Sequence, residues 1–341
     1  MTLAKKGSII SIRGHELTRH IPLVRTKPDE VTNALKHGQV ILPLWGLPVI
    51  VSQKPVVDVP GLVRCRLIDD ARKAGETPGI NEKLRAELTK ILSTSSAALV
   101  AGSGWVVPED RLIREVLAKY PDGLWLGIPE PETEIDDLIT LTGDAIALVV
   151  EDNNTGSGPT LIDLSTAPPL LLRKGTAPIM ELENILATTL RLGPGVIFSI
   201  LVVCTGNSCR SPLGAALIAR SLSGLPVTIG SAGIAAPEGR PATDFAIAVA
   251  REMGLDITRH RARQLTRTMI NTTDLILVME PGHKEWITQQ VPDAGVKVRL
   301  LGRNGEIPDP IGRSIEFYHQ TALLIKTGVM RVEEEIKKRF T

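Results

Sequence analysis

Val203-Cys204-Thr205-Gly206-Asn207-Ser208-Cys209-Arg210-Ser211-Pro212 decides how this chain is read. An apolar run, Ile200-Leu201-Val202-Val203, precedes Cys204 and is short enough for a buried strand. Leu213 to Leu222 follows with a helical pattern, and Pro212 is tolerated in a first helical turn. Strand, tight loop and helix start together form an anion site, because loop amides and the helix N-terminus converge on one point. A thiol at that point is expected to have a lowered pKa. Arg210 adds a planar fork that can hold two phosphate oxygens. The combination implies attack by a thiolate on a bound phosphate.

The rest of the chain sets bounds on that reading. Its 341 residues suggest two domains, and a hydrophobic content of 43% suffices for real cores. The formal net charge is +1, which argues for neither a nucleic acid nor a membrane partner. Three cysteines, Cys65, Cys204 and Cys209, make no disulfide framework and point to a reducing compartment. No run reaches the length of a membrane span, and Met1 to Arg13 lacks the apolar core of a signal peptide. These features predict a cytoplasmic protein.

The expected division is a domain over 1–190, a linker over 191–196 at Gly193-Pro194-Gly195, and a domain over 197–341. In the C-terminal part strands are expected at Ser199–Val203, Val227–Ser231, Leu275–Met279 and Val296–Leu301. Helices are expected at Pro212–Leu222, Pro241–Met253, Ala262–Thr272, Gly282–Gln290 and Ile315–Lys338. This alternation predicts an α/β fold, a doubly wound parallel sheet with helices on both faces. Ligands of such sheets sit at the carboxyl ends of strands, where Cys204 falls. The N-terminal part reads as less regular mixed α/β. Its helices are expected at Pro28–Leu35, Asn81–Leu92, Glu109–Tyr120 and Thr133–Leu141. Its strands are expected at Val40–Pro43, Ala97–Ala101, Leu124–Gly127, Ala145–Val150, Thr160–Asp163 and Leu170–Arg173.

Val203–Pro212, Ser231-Ala232-Gly233, Thr273–Met279 and Asp309-Pro310-Ile311-Gly312 together resemble the low-molecular-weight protein tyrosine phosphatases, over nearly the whole C-terminal domain. The resemblance implies a flavodoxin-like fold and a phosphorylated protein as substrate, with no cofactor and no metal. It implies that Cys204 attacks phosphorus and forms a phosphocysteine. Arg210 and the amides of Thr205, Gly206, Asn207, Ser208 and Cys209 would hold the phosphoryl oxygens. Ser211 would hydrogen-bond the leaving thiolate, and Asp309 would act as general acid and then base. Asn207 and Ser231 would keep the loop's shape. The resemblance also implies that Cys209 can form a reversible disulfide with Cys204.

Plainer readings compete. A lone cysteine is usually structural, which fits Cys65. A zinc pair of Cys204 and Cys209 lacks two further ligands at useful spacing. Asp309 before Pro310 is alone no more than a turn starter. The basic cluster Arg259, His260, Arg261, Arg263 and Arg267 reads as a solvated helix face or as a dock for an acidic phosphoprotein. The substrate turns on two features. The residues after Asp309-Pro310 are not aromatic, so the usual ring clamp is thin, and Tyr318 falls in the closing helix. Ser208 is small and polar, like the Thr of the bacterial branch that acts on phosphoarginine, whereas tyrosine-selective members often carry a bulky aliphatic residue there. Phosphotyrosine and phosphoarginine both stay open, with small phosphate esters behind them. Arsenate reduction is disfavoured, since no cysteine follows Cys209.

The N-terminal part carries no nucleophile, metal or phosphate-loop signature of its own. Gly143–Val150, Gly158–Ser165 and Leu171–Gly175, with weaker matches at Gly38–Pro43 and Trp105–Pro108, resemble YrdC-like threonylcarbamoyl-adenylate synthases. That family binds ATP and threonine and serves tRNA modification. Leu44-Trp45-Gly46-Leu47-Pro48 and Leu126–Glu132 stand where its ligand-contacting segments should be. The domain is therefore read as one that kept the fold and lost the synthase activity, with a role in interaction, regulation or recruitment. The rival reading is a working synthase, binding nucleotide and tRNA, fused to a phosphatase.

Overall fold

The computed structural model describes residues 9–14, 17–22, 28–44, 47–55, 62–75, 82–93, 96–100, 103–108, 111–129, 133–134, 137–138, 146–149, 159–175, 177–302 and 305–341. The chain divides into two compact units. One is Met1–Ala177 with Ile185–Thr188; the other is Pro178–Asn184 with Thr189–Thr341.

In the C-terminal unit the strands are β1 (Phe198–Cys204), β2 (Val227–Gly233), β3 (Leu275–Val278) and β4 (Val298–Leu300). The helices are α1 (Arg210–Ser221), α2 (Asp244–Glu252), α3 (Arg267–Thr272), α4 (Pro281–Gln290) and α5 (Ile315–Lys337). The sheet order is β2-β1-β3-β4, with every neighbouring pair parallel. Ile200 to Cys204 is buried throughout, which is why that stretch reads as a continuous apolar run rather than an alternation. One layer of the core combines Leu201, Val203, Ile276, Val278 and Val298 from the sheet with Ile270 and Ile287 from helices. The closing helix α5 buries Tyr318, Ala322, Ile325, Val329, Val332 and Ile336, at the three- and four-residue spacing of an amphipathic helix.

C-terminal expectations shift in places, and α2 starts at Asp244, after the Thr243 N-cap, rather than at Pro241. Residues 262–266 are not helical. Arg263 O accepts from Gly233 N–H, and Leu265 N–H donates to Gly233 O, so this stretch lies extended against the end of β2. Helix α3 starts only after Thr266, whose hydroxyl accepts from Met269 N–H. The basic cluster is therefore mostly not a helix face. Likewise Pro292–Lys297 forms a 3-10 turn, so β4 is shorter than the expected Val296–Leu301.

In the N-terminal unit Pro28–Leu35, Thr160–Asp163 and Leu170–Arg173 form the helix and strands expected there. The sheet runs Leu170–Arg173, Thr160–Asp163, Ser96–Val100, Ser103–Val106, Val63–Leu67, Leu124–Ile128, Leu47–Ser52, Gln39–Leu44, Ile146–Val149, with parallel and antiparallel pairs mixed. A separate hairpin pairs Ile9–Gly14 with Leu17–Pro22. The strand Val63–Leu67 is not legible in the sequence, because Arg64 and Arg66 alternate with buried Cys65 and Leu67 and hide the apolar content. The helix expected at Thr133–Leu141 falls mostly outside the described residues. A cavity of about 770 Å³ in this unit is lined in part by Arg64, Arg66, Lys73, Trp105, Tyr120 and Trp125. The Arg66 guanidinium lies 5.1 Å from the centre of the Trp125 ring.

Candidate active site

Cys204 ends β1, and Arg210 begins α1, so the five residues between them form the connecting loop. The turn depends on Asn207, whose φ of 52° lies in the left-handed region. Asparagine tolerates that conformation better than most residues. Here its buried side chain is fully engaged. Nδ2 donates to Ser211 Oγ at 2.8 Å and to Ser231 Oγ at 3.0 Å, and Oδ1 accepts from Arg263 N–H at 2.8 Å. Its backbone oxygen lies 2.6 Å from His260 Nε2. The end of β2 must come close to this loop. A Cβ on Gly233 would lie 2.5 Å from Thr205 O and 2.8 Å from Asn207 N, so only glycine fits.

The Cys204 thiol is 2% exposed. Ser211 Oγ lies 3.0 Å from its sulfur. Asn207 donates to that hydroxyl, so the hydroxyl's own proton is shared between the sulfur at 3.0 Å and Ala232 O at 3.4 Å. The amides of Asn207 and Ser211 also bond the sulfur. Cys209 stands at the N-cap of α1 without a side-chain capping bond, so its own side chain takes up none of the amides at the helix start that face an anion. Burial pushes the Cys204 thiol up from its ordinary pKa. The Ser211 hydroxyl, the two amides and the Arg210 charge push it down, but by less. The direction is therefore opposite to the net lowering expected from the loop's donors. Desolvation outweighs the donors there, and Arg210 has its charge shared with two carboxylates.

Arg210 is 1% exposed, and four groups hold its terminal nitrogens. Nη1 donates to Glu280 Oε1 and, at 2.9 Å, to Ile307 O. Nη2 donates to Asp309 Oδ2 at 2.5 Å and to Thr205 Oγ1 at 3.4 Å. Its buried Nε has no partner. A buried charged donor without an acceptor is costly, so it marks a place prepared for an anion. Asp309 is about one-third exposed, and its second oxygen accepts from Ile311 N–H at 3.2 Å. One carboxylate therefore both starts the turn at Pro310 and reaches Arg210.

The structure brings Cys204, Arg210, Ser211, Asn207, Ser231 and Asp309 into one network. Thr205 is exposed, Gly206 and Ser208 are half-buried, and Cys209 is buried. Cys209 Sγ lies 3.3 Å from Thr243 Oγ1 and 3.4 Å from Tyr318 Oη. Burial, and then Cys209, push the Tyr318 hydroxyl up to about 12. Tyr318 also packs edge-on to Phe245, with ring centroids 5.5 Å apart. It therefore backs the loop at Cys209. Among the described residues no cluster of three His, Cys, Asp or Glu side chains could hold a metal ion. No helix of the described residues is long and apolar enough to cross a membrane.

Sequence reasoning missed Glu280, His283 and His260. Glu280 and His283 follow directly on β3, which neighbours β1, so the carboxyl-end rule could have found them. His260 was read only as one member of a basic cluster.

A model of the family described as low molecular weight phosphotyrosine protein phosphatase matches residues 199–341. The probable low molecular weight protein-tyrosine-phosphatase EpsP of Ralstonia nicotianae is 40% identical over 136 residues, covering 39% of this chain and 92% of that protein. The protein-arginine-phosphatase of Geobacillus stearothermophilus is 38% identical over 146 residues, covering 41% of this chain and 97% of that protein. Among solved structures, Vibrio vulnificus Wzb in complex with benzylphosphonate is 40% identical and covers 40% of this chain and 97% of that chain, with a TM-score of 0.39.

Proposed function

This chain belongs to the low molecular weight phosphotyrosine protein phosphatase family, and we propose that it hydrolyses a phosphorylated side chain on a protein through a phosphocysteine intermediate. The observation that carries this is the orphaned Arg210 Nε, buried at the start of the helix whose N-terminus faces Cys204. A phosphoryl oxygen supplies the acceptor that this nitrogen lacks.

In the proposed reaction the Cys204 thiol proton passes to Asp309 by way of the bound phosphate, the resulting thiolate attacks phosphorus, and the bond to the leaving group breaks. Asp309 gives its proton to that leaving group. A dianionic phosphate also competes with Asp309 and Glu280 for Arg210, which frees Asp309 for this transfer. Water then attacks the phosphocysteine and gives its proton to Asp309. Inorganic phosphate departs, and the Ser211 hydroxyl stabilises the departing thiolate. The reaction calls for no metal or cofactor.

Phosphotyrosine is the first substrate to test. Phosphoarginine is the second, favoured by Ser208, whose small half-buried hydroxyl contacts only Cys209 Sγ, at 3.6 Å, among the loop's side chains. The test is turnover of phosphotyrosine and phosphoarginine peptides by the wild type and by Cys204→Ser. Hydrolysis of either by the wild type alone supports the reading. No hydrolysis of either by the wild type overturns it.

Three free cysteines fit a reducing compartment, and the proposed location is the cytoplasm. For the N-terminal domain, taken as 1–190 with a linker over 191–196 before the phosphatase domain at 197–341, the proposed role is recruitment or regulation rather than synthesis. Calorimetry of the full chain with ATP checks this. Micromolar ATP binding would favour the synthase reading instead.

A further inference from the structure

We propose that His283 is a positioning residue that fixes the anion loop and its arginine from one side; the proposal deepens the phosphatase reading and rests on it. His283 is 3% exposed and lies in the first turn of α4. Glu280 N–H donates to His283 Nδ1 at 3.2 Å. A ring nitrogen that accepts carries no proton, so in the neutral ring the proton sits on Nε2. Nε2 lies 3.0 Å from Thr205 Oγ1 and therefore donates to it.

Two consequences meet at Arg210. First, the Thr205 oxygen also accepts from Arg210 Nη2. Both of its lone pairs are then occupied, and its own proton is left for a further acceptor beside the loop. Second, His283 holds the backbone of Glu280, whose carboxylate accepts from Arg210 Nη1. One imidazole thus anchors partners of both terminal nitrogens of the guanidinium. Its ring bonds Thr205 and Glu280 rather than the sulfur of Cys204, so its part is to hold the catalytic groups in place.

The arrangement needs the neutral ring. Protonated Nδ1 would face Glu280 N–H donor to donor, and that bond would be lost. The charges that bear on the ring are Glu280 and Asp309, which favour the cation, and Arg210, which opposes it; burial opposes it most, and the His283 pKa lies below its ordinary value. Lys284 and Glu285 flank it on its own helix, and Asp293, Lys297 and Arg299 lie on the segments packed against α4; none of these is among the charges that shift it. The clamp is therefore present above the lowered pKa and lost as pH falls through it.

Glutamine separates the roles. Its amide oxygen and nitrogen sit about as far apart as the two ring nitrogens, so it can accept from Glu280 and donate to Thr205, yet it cannot be protonated. The experiment uses the full chain and measures kcat/KM on a phosphotyrosine or phosphoarginine peptide from pH 4.5 to 8, with affinity for inorganic phosphate by calorimetry. Losing two part-buried hydrogen bonds at groups that hold Arg210 predicts a fall of about tenfold or more for His283→Ala at neutral pH. His283→Gln is expected within about twofold of wild type there, and to keep more of its activity than wild type at the acid end. Phosphate affinity should follow the same order. The proposal is overturned if His283→Ala matches the wild type, or if the folded Gln variant falls as far as Ala. Should the wild type turn over neither peptide, the phosphatase reading fails by itself. Phosphate affinity then decides the positioning role: weaker in Ala and restored in Gln sustains it, and no difference overturns it.

Discussion

Ser211 Oγ lies 3.0 Å from Cys204 Sγ and accepts the Asn207 amide at 2.8 Å, so the asparagine orients a hydroxyl that can donate to the sulfur. Ser211→Ala removes that donor from a buried thiolate. The pKa of Cys204 should rise, since the hydroxyl favours only the charged form. The midpoint of iodoacetamide alkylation against pH should move upward. The second chemical step should slow about tenfold or more, seen as a larger burst of leaving group relative to the steady state. An unchanged alkylation midpoint would remove Ser211 from this role.

Asp309→Asn tests the proton donor. The variant should lose about 10²- to 10³-fold in kcat on a peptide, where the leaving group is strongly basic. The loss should be far smaller on a nitrophenyl phosphate, which leaves without a proton. Phosphate affinity should hold or improve, because Asp309 no longer competes for Arg210 Nη2. Equal losses on both substrates would mean that Asp309 only shapes the turn at Pro310.

Arg210→Lys preserves charge but not the fork. Arg210 meets Glu280, Ile307 O, Asp309 and Thr205 from two nitrogens and holds Nε in reserve. A single ammonium cannot reproduce this geometry. We expect kcat/KM to fall about 10²-fold or more, with weaker phosphate binding. Near wild-type kinetics would show that a point charge suffices.

Legibility followed local chemistry. β1, the loop and α1 could be read because their signals are contiguous: a doubly buried strand, a Gly-Asn turn and a helix start with proline near it. Asp309 could be read only through the family pattern, since Asp-Pro alone is an ordinary turn. The missed residues share one property: each acts from another segment. His260 bonds the backbone of Asn207 from a stretch whose charges suggested a helix surface, and that stretch is drawn out instead by pairing with Gly233. Glu280 and His283 depend on β3 lying beside β1, which is a fact of tertiary structure. The direction of the thiol's shift is hidden in the sequence for a related reason. Sequence displays the donors around Cys204 but not how completely the fold buries it.

Ser208→Ile addresses the substrate. A bulky aliphatic side chain beside Cys209 would remove a hydroxyl that can accept from a guanidinium and would add apolar surface for a phenyl ring. The ratio of phosphotyrosine to phosphoarginine kcat/KM should rise by about tenfold or more, as expected for loss of one hydrogen bond to a charged group. A ratio that does not move would exclude Ser208 as the selecting residue.

A final prediction concerns what ties the chain's end to its own unit. Arg339, 1% exposed, donates to Glu183 Oε1 and to Glu335 Oε1, and lies over the Phe198 ring at 5.0 Å. Glu183 in turn accepts Leu190 N–H at 2.9 Å. The segment Pro178–Asn184 thus joins the compact unit of the phosphatase fold through a buried ion pair. Arg339→Met leaves the Glu183 carboxylate buried without its cation, so stability to urea should drop by about 3–5 kcal/mol. The double variant with Glu183→Leu removes both charges together and should recover more than half of that loss, less about 1 kcal/mol for the abandoned Leu190 N–H. If the two substitutions simply add, the pair is not coupled, and the segment is held by apolar packing alone.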